Sequence, residues 1–229
     1  MAPQPLCPLP ARLAVLLSGR GSNFEALAEA CERGVLPTRI VLVVSDVADA
    51  AGLGKARDRG IPTTVIGEQR GDRGIPSKVS GAGPGGSRSR REAELVEALD
   101  SADVDLICLA GYMRVLSPAF VARYPLRILN IHPSLLPSFP GLHAQDQAVR
   151  YGVRVSGATV HFVDAGTDTG PIVAQAAVPV LPGDDAETLA TRILPAEHAL
   201  YVEAVLRVLE GGWRISGRSV TFPEGRNPV

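Results

Sequence analysis

The chain has 229 residues, 45% of them hydrophobic and 21% charged, with a formal net charge of -1. That size suits one α/β domain with a real core, and the balance of charge offers nothing to draw nucleic acid or a membrane surface. Three cysteines, Cys7, Cys31 and Cys108, lie too far apart for a metal site or a disulfide framework, no apolar run reaches membrane-spanning length, and residues 1–10 do not read as a secretory signal, so a reduced cytoplasmic setting is the default.

Apolar runs alternate with helical patterns, which predicts a parallel or mixed sheet covered by helices. Residues 12–17 (RLAVLL) read as a buried first strand, and 22–33 as a helix with Phe24, Leu27, Ala28 and Cys31 on one face. Residues 39–44 are a second strand, 50–59 a helix ended by Gly60, and 63–66 a short third strand. Residues 67–91, rich in Gly, Ser, Arg and Pro, read as a mobile loop, in which DRGIP at 72–76 repeats DRGIP at 58–62 as a surface duplication.

A helix resumes over 92–100. Residues 104–109 (VDLICL) and 126–131 (LRILNI) are a fourth and a fifth strand, with Cys108 a small core residue. Residues 144–151 form a short helix. Residues 157–163 and 172–180 alternate in period two, as strands with one solvated face do. Residues 185–210 are a long helix that Pro195 should kink or restart. Residues 213–229 read as a short hairpin and a loose tail. The whole chain, 1–229, is expected to be one domain, with 1–11 and 214–229 as loose ends.

Three stretches can carry chemistry. Ser18-Gly19-Arg20-Gly21-Ser22-Asn23 follows the first strand and opens a helix, where backbone amides and the helix N-terminus favour an anion. It fits a phosphate cradle. It also fits a Gly-rich turn with Ser22 or Asn23 as helix cap. Phe24 stands where a dinucleotide fingerprint needs a third glycine.

Asn130 and His132 lie at the end of a buried strand, two residues apart and so on one face, with Pro133 holding His132 extended. Open α/β sheets bind ligands at such carboxyl ends. Asp168, in the turn-like DAGTDTGP at 164–171, could reach His132 and favour its charged form. His143 could be structural or line the same pocket. His161 sits mid-strand on one sheet face, and Glu197-His198 on the last helix has the look of a solvated charged pair.

Taken together, SGRGSN (18–23), LAGYMRVLSPAF (109–120), LNIHPSLLPSFPGLH (129–143), GATVHFVDAGTDTGPIVAQ (157–175) and AEHALY (196–201) resemble the folate-dependent phosphoribosylglycinamide formyltransferase family, over nearly the whole chain. The resemblance implies a single-domain, three-layer mixed α/β sheet, the formyltransferase fold, with a Rossmann-like parallel N-terminal half. It implies formyl transfer from 10-formyltetrahydrofolate to the amine of phosphoribosylglycinamide in purine biosynthesis, with no metal. By the match of motifs, Asn130, His132 and Asp168 would be the catalytic trio. Gly19, Arg20, Gly21, Ser22 and Asn23 would hold the phosphoribosylglycinamide, with Glu197 at its amine side. Met113, Arg114, Val115 and Leu116, together with Asn130, would line the folate pocket. Counting back from Gly111 without gaps selects Arg88 for the folate tail, with Arg90 and Arg91 as close rivals.

In that mechanism the amine attacks the formyl carbon, and Asn130 and a protonated His132 donate to the oxyanion while Asp168 keeps the ring charged. The enzyme would work on small molecules, as a monomer or homodimer. Rivals are a formyltetrahydrofolate hydrolase, expected to carry a further N-terminal regulatory domain, and a methionyl-tRNA formyltransferase, expected to carry a further C-terminal RNA-binding domain. A non-catalytic folate- or nucleotide-binding module has no need of the trio. A nicotinamide-dependent enzyme is suggested by Gly19-x-Gly21 and by Asp46 after the second strand, but it leaves the trio unexplained.

Overall fold

The computed structural model describes residues 9–67 and 84–223. Cys7, the second DRGIP, most of the Gly-rich stretch and the end of the C-terminal tail lie outside them.

In chain order the elements are β1 (Ala11–Leu17), α1 (Ser22–Glu32), β2 (Thr38–Ser45), α2 (Ala51–Asp58), β3 (Thr63–Val65), α3 (Pro84–Ser101), β4 (Leu106–Leu109), α4 (Pro118–Arg123) and β5 (Ile128–His132). They continue with α5 (Ala144–Tyr151), β6 (Val155–Phe162), β7 (Ile172–Pro179), α6 (Ala186–Glu210), β8 (Arg214–Ser216) and β9 (Ser219–Thr221). Among the described residues the strands form one sheet in the order β3-β2-β1-β4-β5-β6-β7-β9-β8. Strands β1 to β5 pair in parallel, and β6 reverses direction against both β5 and β7.

The central strands are buried on both faces, so alternate residues feed two cores. Leu13, Val15 and Leu17 of β1 join Leu106 and Cys108 of β4, Leu129 of β5 and the apolar stripe of α6. Ala14 and Leu16 face the other way, with Ile107, Leu109, Ile128, Leu95 and Leu99. A three-layer mixed α/β domain with a parallel N-terminal half results. Strand order reverses at β1, between β2 and β4, which opens a crevice beyond the carboxyl ends of β1 and β4. Burial pushes the Cys108 thiol up to about 12, although Tyr201 bonds it, as suits a core residue.

Several expectations are corrected. Helix α3 begins at Pro84, so residues 84–91 are helical; proline suits a first helical position, and ion pairs from Arg88 to Glu92 and Arg90 to Glu94 brace the turns. Pro195 does not restart α6, which runs from Ala186 to Glu210. Its buried stripe, Leu189, Ile193, Leu200, Tyr201, Ala204, Val205, Val208 and Leu209, holds it to the sheet and outweighs one lost backbone bond. Helix α4 has no counterpart in the sequence reading. Ser117 caps it by accepting from the Phe120 amide, with Pro118 next.

Strand β6 has no solvated face: all but its first residue are buried. Helix α6 packs on it, and residues 134–136 bond across it, Thr159 Oγ1 donating to Ser134 O and accepting from the Leu136 amide. Residues 214–221 are no loose end, because β9 pairs with β7 at the sheet edge.

Candidate active site

Strand β5 puts Ile128, Asn130 and His132 on one face, and the first of them roots that face in the core. The His132 side chain is 6% exposed. Its Nε2 lies 2.9 Å from the Phe139 carbonyl, which can only accept, so Nε2 carries a proton. Its Nδ1 lies 3.4 Å from Oδ2 of Asp168. Both nitrogens thus face oxygen acceptors.

Asp168 arrives on the turn between β6 and β7 with φ of 55°, a left-handed conformation that Asp tolerates better than most residues. The Gly141 amide donates to its Oδ2 at 2.7 Å, and Arg218 Nη2 donates to its backbone oxygen at 2.9 Å. Burial alone would raise its pKa. The Gly141 amide and the charge of His132 outweigh burial and bring it below the usual carboxylate range. Asn130 and His132, neighbours on one strand, thus meet Asp168, remote in sequence, at one wall of one cavity.

The sequence reading left His161 out of the site. It pairs with Asn130 across the antiparallel β5–β6 ladder and is 2% exposed. Its Nδ1 donates to the Phe162 carbonyl at 2.8 Å, which leaves Nε2 as an acceptor for Asn130 Nδ2 at 3.1 Å. Nε2 also lies 3.6 Å from Asp168 Oδ1, too long for a hydrogen bond, so the Asn130 contact fixes the ring. His161 therefore orients the Asn130 amide and keeps one of its two N–H groups free. The available signal was register: β5 and β6 align in opposite directions, and only that pairing sets His161 beside Asn130.

The cavity holds about 500 Å³. Met113, Arg114, Val115 and Leu116 line it, as do His143 and Asp164. Met113 and Val115 are 62% and 61% exposed, an apolar lip with no packing role in the core. Of the three rival arginines, Arg88 reaches the backbone of this lip: its Nη2 donates to the Val115 carbonyl at 2.9 Å. Arg90 instead pairs with Glu94 along an exposed helix face, and Arg91 bonds the Tyr112 side chain.

The loop at 18–23 lies at the other side of the switch point. Gly21 is the residue before α1, at φ of 74°, and a Cβ there would stand 2.7 Å from Gly52 Cα. A Cβ on Gly19 would meet nothing within 4 Å. Neither Ser22 nor Asn23 caps the helix, because no side-chain cap bond forms and Asn23 Nδ2 donates to Glu197 Oε2 at 2.8 Å. Glu197 is no solvated charge but is 8% exposed. Burial raises its pKa, against the Asn23 bond and the Arg20 charge that lower it. Among the described residues no group of three or more His, Cys, Asp or Glu is placed to hold a metal ion.

The formyl transferase family model matches residues 11–205. Among similar proteins, the phosphoribosylglycinamide formyltransferase of Mycobacterium tuberculosis is 42% identical over 213 residues, 93% of this chain and 92% of that protein. The trifunctional purine biosynthetic protein adenosine-3 of Drosophila pseudoobscura pseudoobscura is 48% identical over 206 residues, and there the chain spans only 14% of the relative's length. The crystal structure of glycinamide ribonucleotide transformylase 1 from Symbiobacterium toebii superposes with a TM-score of 0.82 at 47% identity, covering 93% of each chain.

Proposed function

The chain belongs to the formyl transferase family, and from that premise we propose that it transfers the formyl group of 10-formyltetrahydrofolate to the amine of 5'-phosphoribosylglycinamide, a step of purine biosynthesis. One observation carries the reading: an amide, an imidazole and a carboxylate meet at the wall of a cavity of about 500 Å³, at the carboxyl end of β5.

The amine attacks the formyl carbon, and negative charge gathers on the formyl oxygen. Asn130 Nδ2 donates to it through the N–H that His161 leaves free. His132 is anchored through Nε2 to Phe139, so Nδ1–H is its working donor, shared between Asp168 and the oxyanion. Fixed donors of this kind are worth about 3–4 kcal/mol each when removed. As the carbon–N10 bond breaks and the carbon–amine bond forms, the proton lost by the amine passes through a water held by Asp168 to N10 of the leaving folate. Residues 19–23 hold the ribose phosphate on backbone amides and the N-terminus of α1, and buried Glu197 receives the amine end. Asn23 Oδ1, buried with no partner among the described residues, is an acceptor for a donor on that substrate.

The pterin lies over residues 113–116, and Arg88 meets the folate tail at the rim. No described helix is long and apolar enough to cross a membrane. The enzyme is read as cytoplasmic and as a monomer or homodimer acting on small molecules rather than on nucleic acid.

The test mixes the protein with 10-formyltetrahydrofolate, with and without phosphoribosylglycinamide, and follows deformylated folate by absorbance and formate separately. Turnover that requires the amine and releases no formate is expected. Formate release without acceptor would make the protein a hydrolase, and no turnover at all would leave a binding module.

A further inference from the structure

Three neighbouring strands, β2, β1 and β4, end side by side at the switch point, and one buried carboxylate ties together the segments that lead out of them. Asp46, next after β2, has a side chain 3% exposed. Its Oδ1 accepts from Ser18 Oγ at 2.5 Å, and its Oδ2 accepts from Arg114 Nε at 2.5 Å. Ser18 Oγ in turn accepts from the Met113 amide at 2.9 Å, and the Ser18 amide donates to the Gly111 carbonyl at 3.0 Å. A hydroxyl has one proton to give, and Asp46 takes it, so the serine oxygen presents a lone pair to Met113. Two consecutive residues of the cavity loop, Met113 by its backbone and Arg114 by its side chain, thus hang from one carboxylate. Both oxygens of Asp46 are thus engaged within the protein.

Resting on the reading given under Proposed function, we propose that Asp46 is a positioning residue for the folate half of the site, acting through Ser18 and Arg114 to hold residues 111–116 in the shape that receives the pterin. Met113 and Val115 are the exposed lip of the cavity, between buried Tyr112 and Leu116; Arg88 holds the Val115 carbonyl, and the relay is what holds Met113 and Arg114. The same relay touches residue 18 but not the backbone amides of 19–23. The defect from losing it is therefore confined to folate.

The test measures the dissociation constants of tetrahydrofolate and of phosphoribosylglycinamide by titration calorimetry for Ser18→Ala, Asp46→Ala and Asp46→Asn. Tetrahydrofolate carries no formyl group, so no reaction intrudes. Ser18→Ala and Asp46→Ala are each expected to weaken tetrahydrofolate by about tenfold, the size of one buried charge-assisted bond. Phosphoribosylglycinamide should change by less than about twofold. The double variant should be little worse than either single one, because both remove the same relay. Asp46→Asn should recover part of the affinity, since its amide oxygen still accepts from Ser18 while its NH2 cannot accept from Arg114. A purely structural role would weaken both ligands together and would not be rescued by asparagine. Equal losses for the two ligands, or unchanged tetrahydrofolate binding in Ser18→Ala, would overturn the relay alone. If the unaltered protein bound no tetrahydrofolate, the proposed function would fall and the relay with it.

Discussion

Asp168 stands 3.4 Å from Nδ1 of His132 while the Gly141 amide donates to the same carboxylate oxygen at 2.7 Å. The carboxylate is thus held ionised, with a pKa depressed from 3.8 to about 2 despite its burial. A depressed carboxylate stabilises the fold above its unfolded pKa, and that contribution disappears as pH falls from about 3.8 toward 2. Denaturant melts across that window should show Asp168→Asn losing less stability than the unaltered chain. Parallel losses would show that Asp168 is not coupled to the fold in this way.

His161 acts on the reaction through Asn130. Replacing it with alanine frees the Asn130 amide to turn, and kcat is expected to fall roughly tenfold to a hundredfold, as for other outer-shell orienting groups. Both Michaelis constants should move little. A His161→Ala enzyme with full kcat would remove the orienting role.

The two glycines of the phosphate loop separate ligand effects from folding effects. A Cβ on Gly19 meets no protein atom, so Gly19→Val should leave the melting temperature alone and raise the phosphoribosylglycinamide Michaelis constant far more than the folate one. A Cβ on Gly21 strikes Gly52 in a left-handed backbone, so Gly21→Ala should also destabilise the fold, by about 1–3 kcal/mol. Kinetics and thermal melts of both variants check this; equal effects of Gly19→Val on the two substrates would move the phosphate elsewhere.

Much of this architecture is legible in the chain. The RLAVLL and LICL runs announce strands buried on both faces, and the motif order announces the fold. Period two places Asn130 beside His132 before any coordinates exist. What stays hidden is long-range. His161 belongs to the site only through antiparallel register with β5, and Glu197 is buried only because α6 continues through Pro195 to meet Asn23. Asp46 resembles a ribose-binding acid until its two partners, from 28 and 68 residues away, are known. Composition also misleads at residues 84–91, where Gly, Ser and Arg mask a helix start.

Of the arginines before β4, Arg88 bonds the Val115 backbone at the cavity lip, whereas Arg90 spends its charge on Glu94. Arg88→Ala should raise the folate Michaelis constant by about tenfold, the worth of one charged contact, with Arg90→Ala near unity. Steady-state kinetics at saturating phosphoribosylglycinamide decide between them, and the reverse order would reassign the folate tail.

The most direct measurement is kcat for Asp168→Asn and His132→Ala, each shown to be folded by circular dichroism, with both substrates saturating. The account predicts losses of about a hundredfold to a thousandfold or more in each, because one variant removes the imidazole donor from the oxyanion and the other removes the carboxylate that faces that donor. Near-normal turnover in either folded variant would contradict it.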